Sequence, residues 1–241
     1  MAQTEILIPL YPGVTHLDFT GPQQVLVRLP GARVTVASLG GADIEADGLI
    51  FTGLADLAAV ERCDMLCVPG GFGTTEAMLD EAFMAEIRRL GAGATYLTSV
   101  CTGSLILAAA GFLKGRRAAC HWAWRELLVP FGAIVDEARV VRDGNIITGG
   151  GVTAGLDFAF VVAAELAGEP VAKSIQLGLE YAPSPPFECG RPEIADPVIL
   201  AAMRQMMAAA GADRIAAAEE AARRLESALV SRRAPATAPV G

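Results

Sequence analysis

The sequence predicts an α/β protein: a three-layer sandwich in which helices cover a mainly parallel central sheet. Three observations lead to this class. Short apolar runs alternate with longer amphipathic segments, as expected of repeated β–α units. The run at 64–68 is continuously apolar after its first residue, which is typical of a strand at the buried centre of a parallel sheet. The chain has 241 residues, of which 53% are hydrophobic, enough for a substantial core in one domain.

The elements are predicted in chain order from apolar periodicity and from turn residues. Strands are expected at 5–10, 33–39, 49–52, 64–68 and 95–100, and helices from about 18, over 75–90, over 103–110 and from about 153. Residues 139–148 predict a β-hairpin, because Asp143-Gly144 stands between two apolar runs.

The chain changes character after Tyr181. Residues 182–187 contain three prolines and predict an extended segment. An alanine-rich stretch follows at 194–230 and predicts helices with a break near Gly211. These changes divide the chain into a catalytic domain (1–190), a helical extension (191–230) and a tail expected to be disordered (231–241).

Composition excludes several classes of function. The net charge of −8 argues against non-specific binding to nucleic acid. The sequence contains no run of about 18 apolar residues and no secretory signal, so we expect a cytoplasmic protein without a membrane partner. Five cysteines form an odd set, which does not suggest a disulfide framework. Cys63 and Cys67 are not matched by a second pair, so no metal site is expected.

The segment Ser99-Val100-Cys101-Thr102-Gly103 predicts a sharp strand-to-helix turn, the arrangement known as a nucleophile elbow. Such a turn presents the thiol of Cys101 at the carboxyl edge of the sheet, where open α/β sheets bind ligands. We expect the helix N-terminus to lower the pKa of this thiol, and the amides that follow it to hold a developing negative charge. The alternative is that Cys101 is one more small buried residue.

The segment Pro69-Gly70-Gly71 ends a neighbouring strand at the same edge. Its glycines allow backbone amides to approach a substrate closely, although a tight turn alone would also explain them.

Two further side chains are candidates for proton transfer. Asp18 follows the first strand among apolar residues, and it either caps a helix or transfers protons beside the thiol. His121 is one of two histidines and either forms a Cys–His pair or is hydrogen-bonded scaffold at a helix start.

These motifs resemble the ThiJ/PfpI superfamily, a branch of the class I glutamine-amidotransferase-like fold. The resemblance covers about residues 5–190 and implies a flavodoxin-like architecture. It rests on Pro69–Gly71, Cys101–Gly103, the stretch 111–118 and His121-Trp122. Within the family, the segments 17–22, 98–104, 139–157 and 180–187 are most similar to the branch that hydrates organic isocyanides.

The resemblance implies a lyase that converts an isocyanide, R–N≡C, and water into an N-substituted formamide without a cofactor. The Cys101 thiolate would add to the isocyanide carbon to give a thioimidate. Asp18 would donate the proton and then activate water, which requires a pKa raised toward neutrality by an apolar pocket. Thr102 would orient the reacting group and lend its amide. The backbone amide of Gly71 is implied as a second donor, and the further candidates for substrate binding are Gly70, Phe72, His121 and Val152.

Rival functions remain open within the same family. Cys101 is followed by Thr102 rather than histidine, and an aspartate replaces the glutamate of deglycase-like relatives, which weakens peptidase and deglycase or glyoxalase-like activities. An amidase-like enzyme is a further alternative. The sensory domains of AraC-type regulators are similar as well, but only about 50 residues follow Phe187 and they contain no recognition helix. A ligand-binding module without catalysis stays an alternative, and the resemblance also favours a homodimer.

Overall fold

A seven-stranded, mainly parallel sheet forms the centre of the protein, whose computed structural model describes residues 3–233. The strands are β1 (Thr4–Pro9), β2 (Ala32–Ser38), β3 (Ile44–Ala46), β4 (Leu49–Phe51), β5 (Ala55–Asp56), β6 (Met65–Val68), β7 (Tyr96–Val100), β8 (Arg117–Ala118), β9 (Ile134–Val135), β10 (Val140–Asp143) and β11 (Ile146–Gly149). The helices are α1 (Leu17–Leu26), α2 (Thr74–Ala77), α3 (Glu81–Gly93), α4 (Gly103–Ala109), α5 (Ala154–Ala167), α6 (Glu169–Gly178), α7 (Pro197–Ala210) and α8 (Ala212–Arg233). Short 3₁₀ segments occur at Leu39–Gly41, Leu57–Ala59 and Arg125–Phe131.

The strand order is β10-β11-β7-β6-β1-β2-β5, and every neighbouring pair is parallel except β10 with β11. The chain leaves β1 toward β2 and later returns to β6 on the other side of β1. The carboxyl ends of β1 and β6 therefore border a topological switch point, the usual ligand site of open α/β sheets. The prediction of a mainly parallel α/β sheet flanked by helices is confirmed.

Two groups of helices flank the sheet. Helix α5 packs against α1 and α6, and it also contacts β7 and β11. Helix α4 contacts β6 and β7 and also packs against α2 and α8. All seven residues of α4 and all four of β6 are buried, so small side chains along α4 let the helix lie close to the sheet. Cys67 is fully buried in β6, as its apolar surroundings predict.

One predicted helix is wrong in its extent. The segment 75–90 is not continuous: α2 ends at Ala77 and α3 begins at Glu81. The break follows from Asp80, whose carboxylate accepts hydrogen bonds from the N–H groups of Ala82 (3.0 Å) and Phe83 (3.2 Å) and so caps α3. A single strand is predicted at 49–52, whereas the structure has a short antiparallel hairpin there, in which β4 pairs with β3.

The C-terminal segment is helical and breaks at Gly211, as predicted. A Cβ atom at position 211 would overlap the ring of Trp124, so close packing of this ring requires glycine there. Helix α8 continues to Arg233, and the prediction of a disordered tail is therefore wrong for 231–233. The rest of that predicted tail, 234–241, lies outside the described residues. Within 3–233, no helix is both long enough and apolar enough to span a membrane.

Candidate active site

Cys101 lies at the turn between β7 and α4 with a backbone φ of 58°, in the left-handed region that few residues other than glycine adopt. This strained conformation is the nucleophile elbow that the sequence predicts. The Cys101 N–H donates to the carbonyl oxygen of Gly150 (2.8 Å), which ties the turn to the loop after β11. A Cβ at Gly103 would overlap the carbonyl oxygen of Val68, so glycine is needed for α4 to start against β6.

The Cys101 thiol is 5% exposed and borders a small cavity. The backbone amides of Thr102 and Val152 lower the pKa of this thiol. Burial and the neighbouring Asp18 carboxylate nevertheless raise the pKa of the thiol well above its ordinary value. The prediction that the helix N-terminus lowers this pKa is therefore wrong, because two backbone donors do not offset the loss of solvation of a fully buried thiolate.

Asp18 is the second residue of α1 and is fully buried. Its Oδ2 accepts a hydrogen bond from the Gly70 N–H (3.0 Å), whereas its Oδ1 has no N–H or O–H donor among residues 3–233. No hydrogen bond joins the carboxylate to the N–H groups of α1 within these residues, so Asp18 does not cap its own helix. Burial raises the pKa of Asp18 to about 7, although the neighbouring Cys101 thiol and the Gly70 N–H each lower it.

Cys101 and Asp18 thus form a coupled pair. Because the pKa of the thiol is high and that of the carboxyl is about 7, the pair holds one proton above neutral pH. A proton that moves from sulfur to carboxylate creates a thiolate and an acid together, without any change in the charge of the site. This arrangement can deliver a nucleophile and a proton to the same small molecule.

Thr102 is buried, and its hydroxyl group belongs to a chain of polar contacts. Its Oγ1 accepts a hydrogen bond from the Gly71 N–H (2.9 Å) and lies 2.8 Å from Thr74 Oγ1. Tyr11 OH lies 3.1 Å from Thr74 Oγ1 and donates to the carbonyl oxygen of Pro69 (2.8 Å). The implied role of the Gly71 amide as a donor to substrate does not fit this geometry, because Thr102 already receives that N–H.

The two glycines after Pro69 allow close packing that a side chain would prevent. A Cβ on Gly70 would lie 2.6 Å from Thr102 Oγ1 and 2.9 Å from Asp18 Oδ2, between two polar groups of the site. Gly71 has a φ of 152°, and its Cβ would lie 2.6 Å from the amide nitrogen of Thr15. These glycines therefore do more than form a tight turn: they bring three loops together at the switch point.

A cavity of about 140 Å³ opens onto the sulfur. It is lined by Thr15, Gly71, Phe72, Cys101, Thr102, His121, Trp124, Val152, Met207 and Arg214. Asp18 and Gly70 do not line this cavity. A larger cavity, about 620 Å³, shares Phe72 with it but includes neither Cys101 nor Asp18. The smaller cavity is therefore the candidate site.

His121 lines the cavity, but it lies in a turn before the 3₁₀ segment that begins at Arg125 rather than at a helix start. Its Nδ1 accepts the N–H of Ala123 (3.2 Å), so the neutral ring carries its proton on Nε2. Burial and the nearby Arg214 cation lower the pKa of His121 to about 4. The described residues contain no hydrogen bond between His121 and Cys101, so the structure does not support a Cys–His pair.

Arg214, on α8, is a residue of the site that the sequence analysis missed. It is 4% exposed and donates to the carbonyl oxygens of Gly71 (3.0 Å) and Phe72 (2.9 Å), with its guanidinium 4.7 Å from the centre of the Trp124 ring. Helical periodicity could have revealed the burial of Arg214, because this residue shares a helical face with the buried alanines 217, 218 and 221.

We expect Arg214→Met to destabilise the protein by roughly 2–4 kcal/mol, because a buried carbonyl oxygen, that of Gly71, and a partly buried one, that of Phe72, lose a charged donor. Arg223→Met is the matched control on the same helix, since Arg223 is exposed and pairs only with Glu220 among the described residues. The control should change the free energy of unfolding by less than about 0.5 kcal/mol. Urea unfolding of the two variants measures the difference, and equal values would contradict the bridging role of Arg214.

A strained cysteine after an inner strand of a mainly parallel sheet, with a buried carboxyl group beside it, defines a class: α/β proteins with a cysteine nucleophile elbow. Comparison with known proteins places the chain within that class. The model of the DJ-1/PfpI family matches residues 4–165, and the chain belongs to this family. The resemblance inferred from the sequence motifs is confirmed.

Individual relatives extend this similarity beyond the part that the family model matches. The chain is 46% identical to isonitrile hydratase of Pseudomonas putida over 83% of its own length and 88% of that protein's. It is 40% identical to a ThiJ/PfpI family protein from Pseudomonas syringae, with a TM-score of 0.86 and coverage of 92% and 91% of the two chains. Protein dj-1beta of Drosophila melanogaster is 31% identical over 72% of this chain and 95% of its own.

Proposed function

We propose that the protein is an isocyanide hydratase, which converts an organic isocyanide and water into an N-substituted formamide. The observation that carries the proposal is the buried Cys101–Asp18 pair, in which the pKa of the carboxyl is about 7. Such a pair provides a sulfur nucleophile and an acid for a substrate that needs both at one carbon. The similarity to isonitrile hydratase, isonitrile being another word for isocyanide, supports the same conclusion.

The first step joins Cys101 to the substrate. The sulfur attacks the terminal carbon of R–N≡C while Asp18 delivers its proton to the same carbon. The product is a thioimidate, R–N=CH–S–Cys101, and Asp18 is left as a carboxylate. The Thr102 and Val152 amides favour the thiolate before attack, because both lower the pKa of the thiol.

Water completes the reaction through Asp18. The carboxylate removes a proton from water as its oxygen attacks the thioimidate carbon, and that proton passes on to the substrate nitrogen. The resulting adduct, R–NH–CH(OH)–S–Cys101, loses its sulfur, and the hydroxyl proton returns to Asp18. The formamide R–NH–CHO leaves, and the initial thiolate and acid are restored without a cofactor.

The size and lining of the cavity favour this substrate class over its rivals. A volume of about 140 Å³, walled by Phe72, Trp124, Val152 and Met207, suits a small apolar group rather than a peptide or a glycated protein. The C-terminal helices contribute Met207 and Arg214 to this wall, so we propose that they belong to the catalytic unit rather than to a separate extension. Homodimer assembly and a cytoplasmic location are further parts of the proposal.

Purified protein should convert a ¹³C-labelled alkyl isocyanide into a formamide, seen as a new formyl signal by NMR. In H₂¹⁸O the label should enter the formyl oxygen, because that atom comes from water. Cys101→Ala is the control and should give no signal above the uncatalysed rate. Binding of alkyl and aryl isocyanides without turnover would contradict the proposal and favour the ligand-sensing module.

A further inference from the structure

Three hydroxyl groups form a buried chain behind the Cys101 cavity, those of Tyr11, Thr74 and Thr102. Successive oxygens are 3.1 and 2.8 Å apart, and the Tyr11 oxygen is also 2.8 Å from the carbonyl oxygen of Pro69. The three residues are at most 3% exposed, so bulk water does not reach the chain. Each hydroxyl supplies one proton, and a short contact between two oxygens is favourable only when a proton lies between them.

The carbonyl oxygen at one end sets the order of the protons. Pro69 O carries no proton, so the Tyr11 proton lies between Tyr11 and Pro69. Thr74 must then donate to Tyr11, and Thr102 must donate to Thr74. In this order every contact in the chain holds a proton.

The opposite order leaves contacts unsatisfied. If Thr102 donated to Gly71 O, at 3.2 Å, either two lone pairs would face each other between Thr74 and Tyr11, or Pro69 O would lose its donor. Gly71 O also has another donor, because Arg214 reaches it at 3.0 Å. The Thr102 proton is therefore free to lie on the side of Thr74.

We infer that Tyr11 and Thr74 are positioning residues that hold the Thr102 hydroxyl as a hydrogen-bond acceptor, ready to receive an O–H of the attacking water. The inference rests on the proposed hydration reaction. Thr102 donates its only proton to Thr74 and accepts the Gly71 N–H, which leaves one lone pair for a further donor. In the opposite order Thr102 would donate to Gly71 O and accept from both Thr74 and the Gly71 N–H, which would leave no lone pair for the water.

A second acceptor completes the water site. Water has two protons, and the mechanism gives one of them to Asp18, whose Oδ1 has no N–H or O–H donor in the described part of the chain. Asp18 Oδ2 and Thr102 Oγ1 both lie against Gly70, because a Cβ atom there would be 2.9 Å from the first oxygen and 2.6 Å from the second. Two acceptors fix the direction of the water lone pair that attacks the thioimidate carbon.

The test separates attack by water from formation of the thioimidate. In Thr74→Val the Thr102 proton loses its acceptor, and in Tyr11→Phe the Thr74 proton turns toward Thr102 and occupies its lone pair. We expect kcat to fall about tenfold or more in both variants, as for loss of one oriented hydrogen bond. The thioimidate should accumulate, seen after acid quench as protein heavier by one isocyanide on Cys101. Thr74→Ser keeps the hydroxyl and should restore kcat and abolish the accumulation.

Other outcomes would overturn the inference. Normal turnover in Thr74→Val and Tyr11→Phe, or equal losses of adduct formation and turnover, would show that the chain of hydroxyl groups is only structural.

The order of the hydroxyl protons can also be measured without substrate, because a buried hydroxyl proton exchanges slowly enough for NMR. An NOE should join the Thr102 hydroxyl proton to the Thr74 side chain, and an NOE to Arg214 instead would contradict the order. This measurement stands even if the wild-type protein makes no formamide, which would refute the proposed function alone.

Discussion

Cys101→Ala is expected to abolish formamide production, with a loss of about 10³-fold or more, while the protein remains folded. Without the sulfur no thioimidate forms, and the remaining groups of the site have no covalent path to replace it. The change removes a small side chain next to Asp18 and to the Thr102 and Val152 amides, so the cost in stability should be about 1–2 kcal/mol. Initial rates and urea unfolding of the same preparations measure both quantities.

Cys120→Ala is the matched control for this variant, because Cys120 is also buried near the site but lies outside the elbow. It should retain most of the activity. A Cys101→Ala protein that keeps more than a few per cent of the wild-type rate would refute covalent catalysis by sulfur.

Asp18→Asn is expected to lower the rate by about a hundredfold or more, because an amide cannot donate and recover a proton. Asparagine can still accept the Gly70 N–H, so the geometry of the loop should survive. In the wild-type protein, kcat/KM should rise through about pH 7, where the Cys101–Asp18 pair loses its first proton. That rise should be absent from the variant. His121→Asn is the control, since it keeps an acceptor for Ala123 and should retain the pH profile.

Asp18→Asn should lower the rate but raise the stability of the folded protein at neutral and alkaline pH. The folded protein binds a proton at Asp18 up to about pH 7, whereas the unfolded chain loses it near pH 4, so the wild-type protein loses stability as pH rises between these values. A shift of this size corresponds to about 4 kcal/mol. Asp18→Asn lacks this loss, and its Tm should exceed that of the wild type by more at pH 8 than at pH 5. A Tm difference that is constant over this range would show that Asp18 does not titrate as described.

The sequence was most informative where local geometry decides the structure. The elbow could be predicted from Ser99–Gly103, because the sharp turn with a positive φ at Cys101 is a property of a few adjacent residues. Asp18 was singled out because an acid among apolar residues after a strand points to burial at the edge of the sheet. The hairpin at Asp143-Gly144 was equally local.

Properties that depend on distant residues could not be predicted. The sign of the pKa shift at Cys101 is set by its full burial, to which segments throughout the chain contribute, and not by α4 alone. Arg214 reaches the site from a helix at the far end of the sequence, and no local pattern links it to Gly71. The partner of the Gly71 amide was missed for the same reason, because the Thr102 hydroxyl that receives it comes from another strand end. The homodimer remains a prediction.

The position of α8 in the sequence has a consequence for the newly made chain. On the ribosome, the sheet and the Cys101 turn are synthesised well before Met207 and Arg214, which close the cavity. We expect the nascent protein to pass through a stage in which these two lining residues are absent and the thiol is more open to solvent and to oxidants. Docking of α7 and α8 is expected to end that stage, because Met207 on α7 and Arg214 on α8 complete the lining of the cavity. A translation product that stops before α8 would carry a reactive cysteine without the cavity that directs its chemistry.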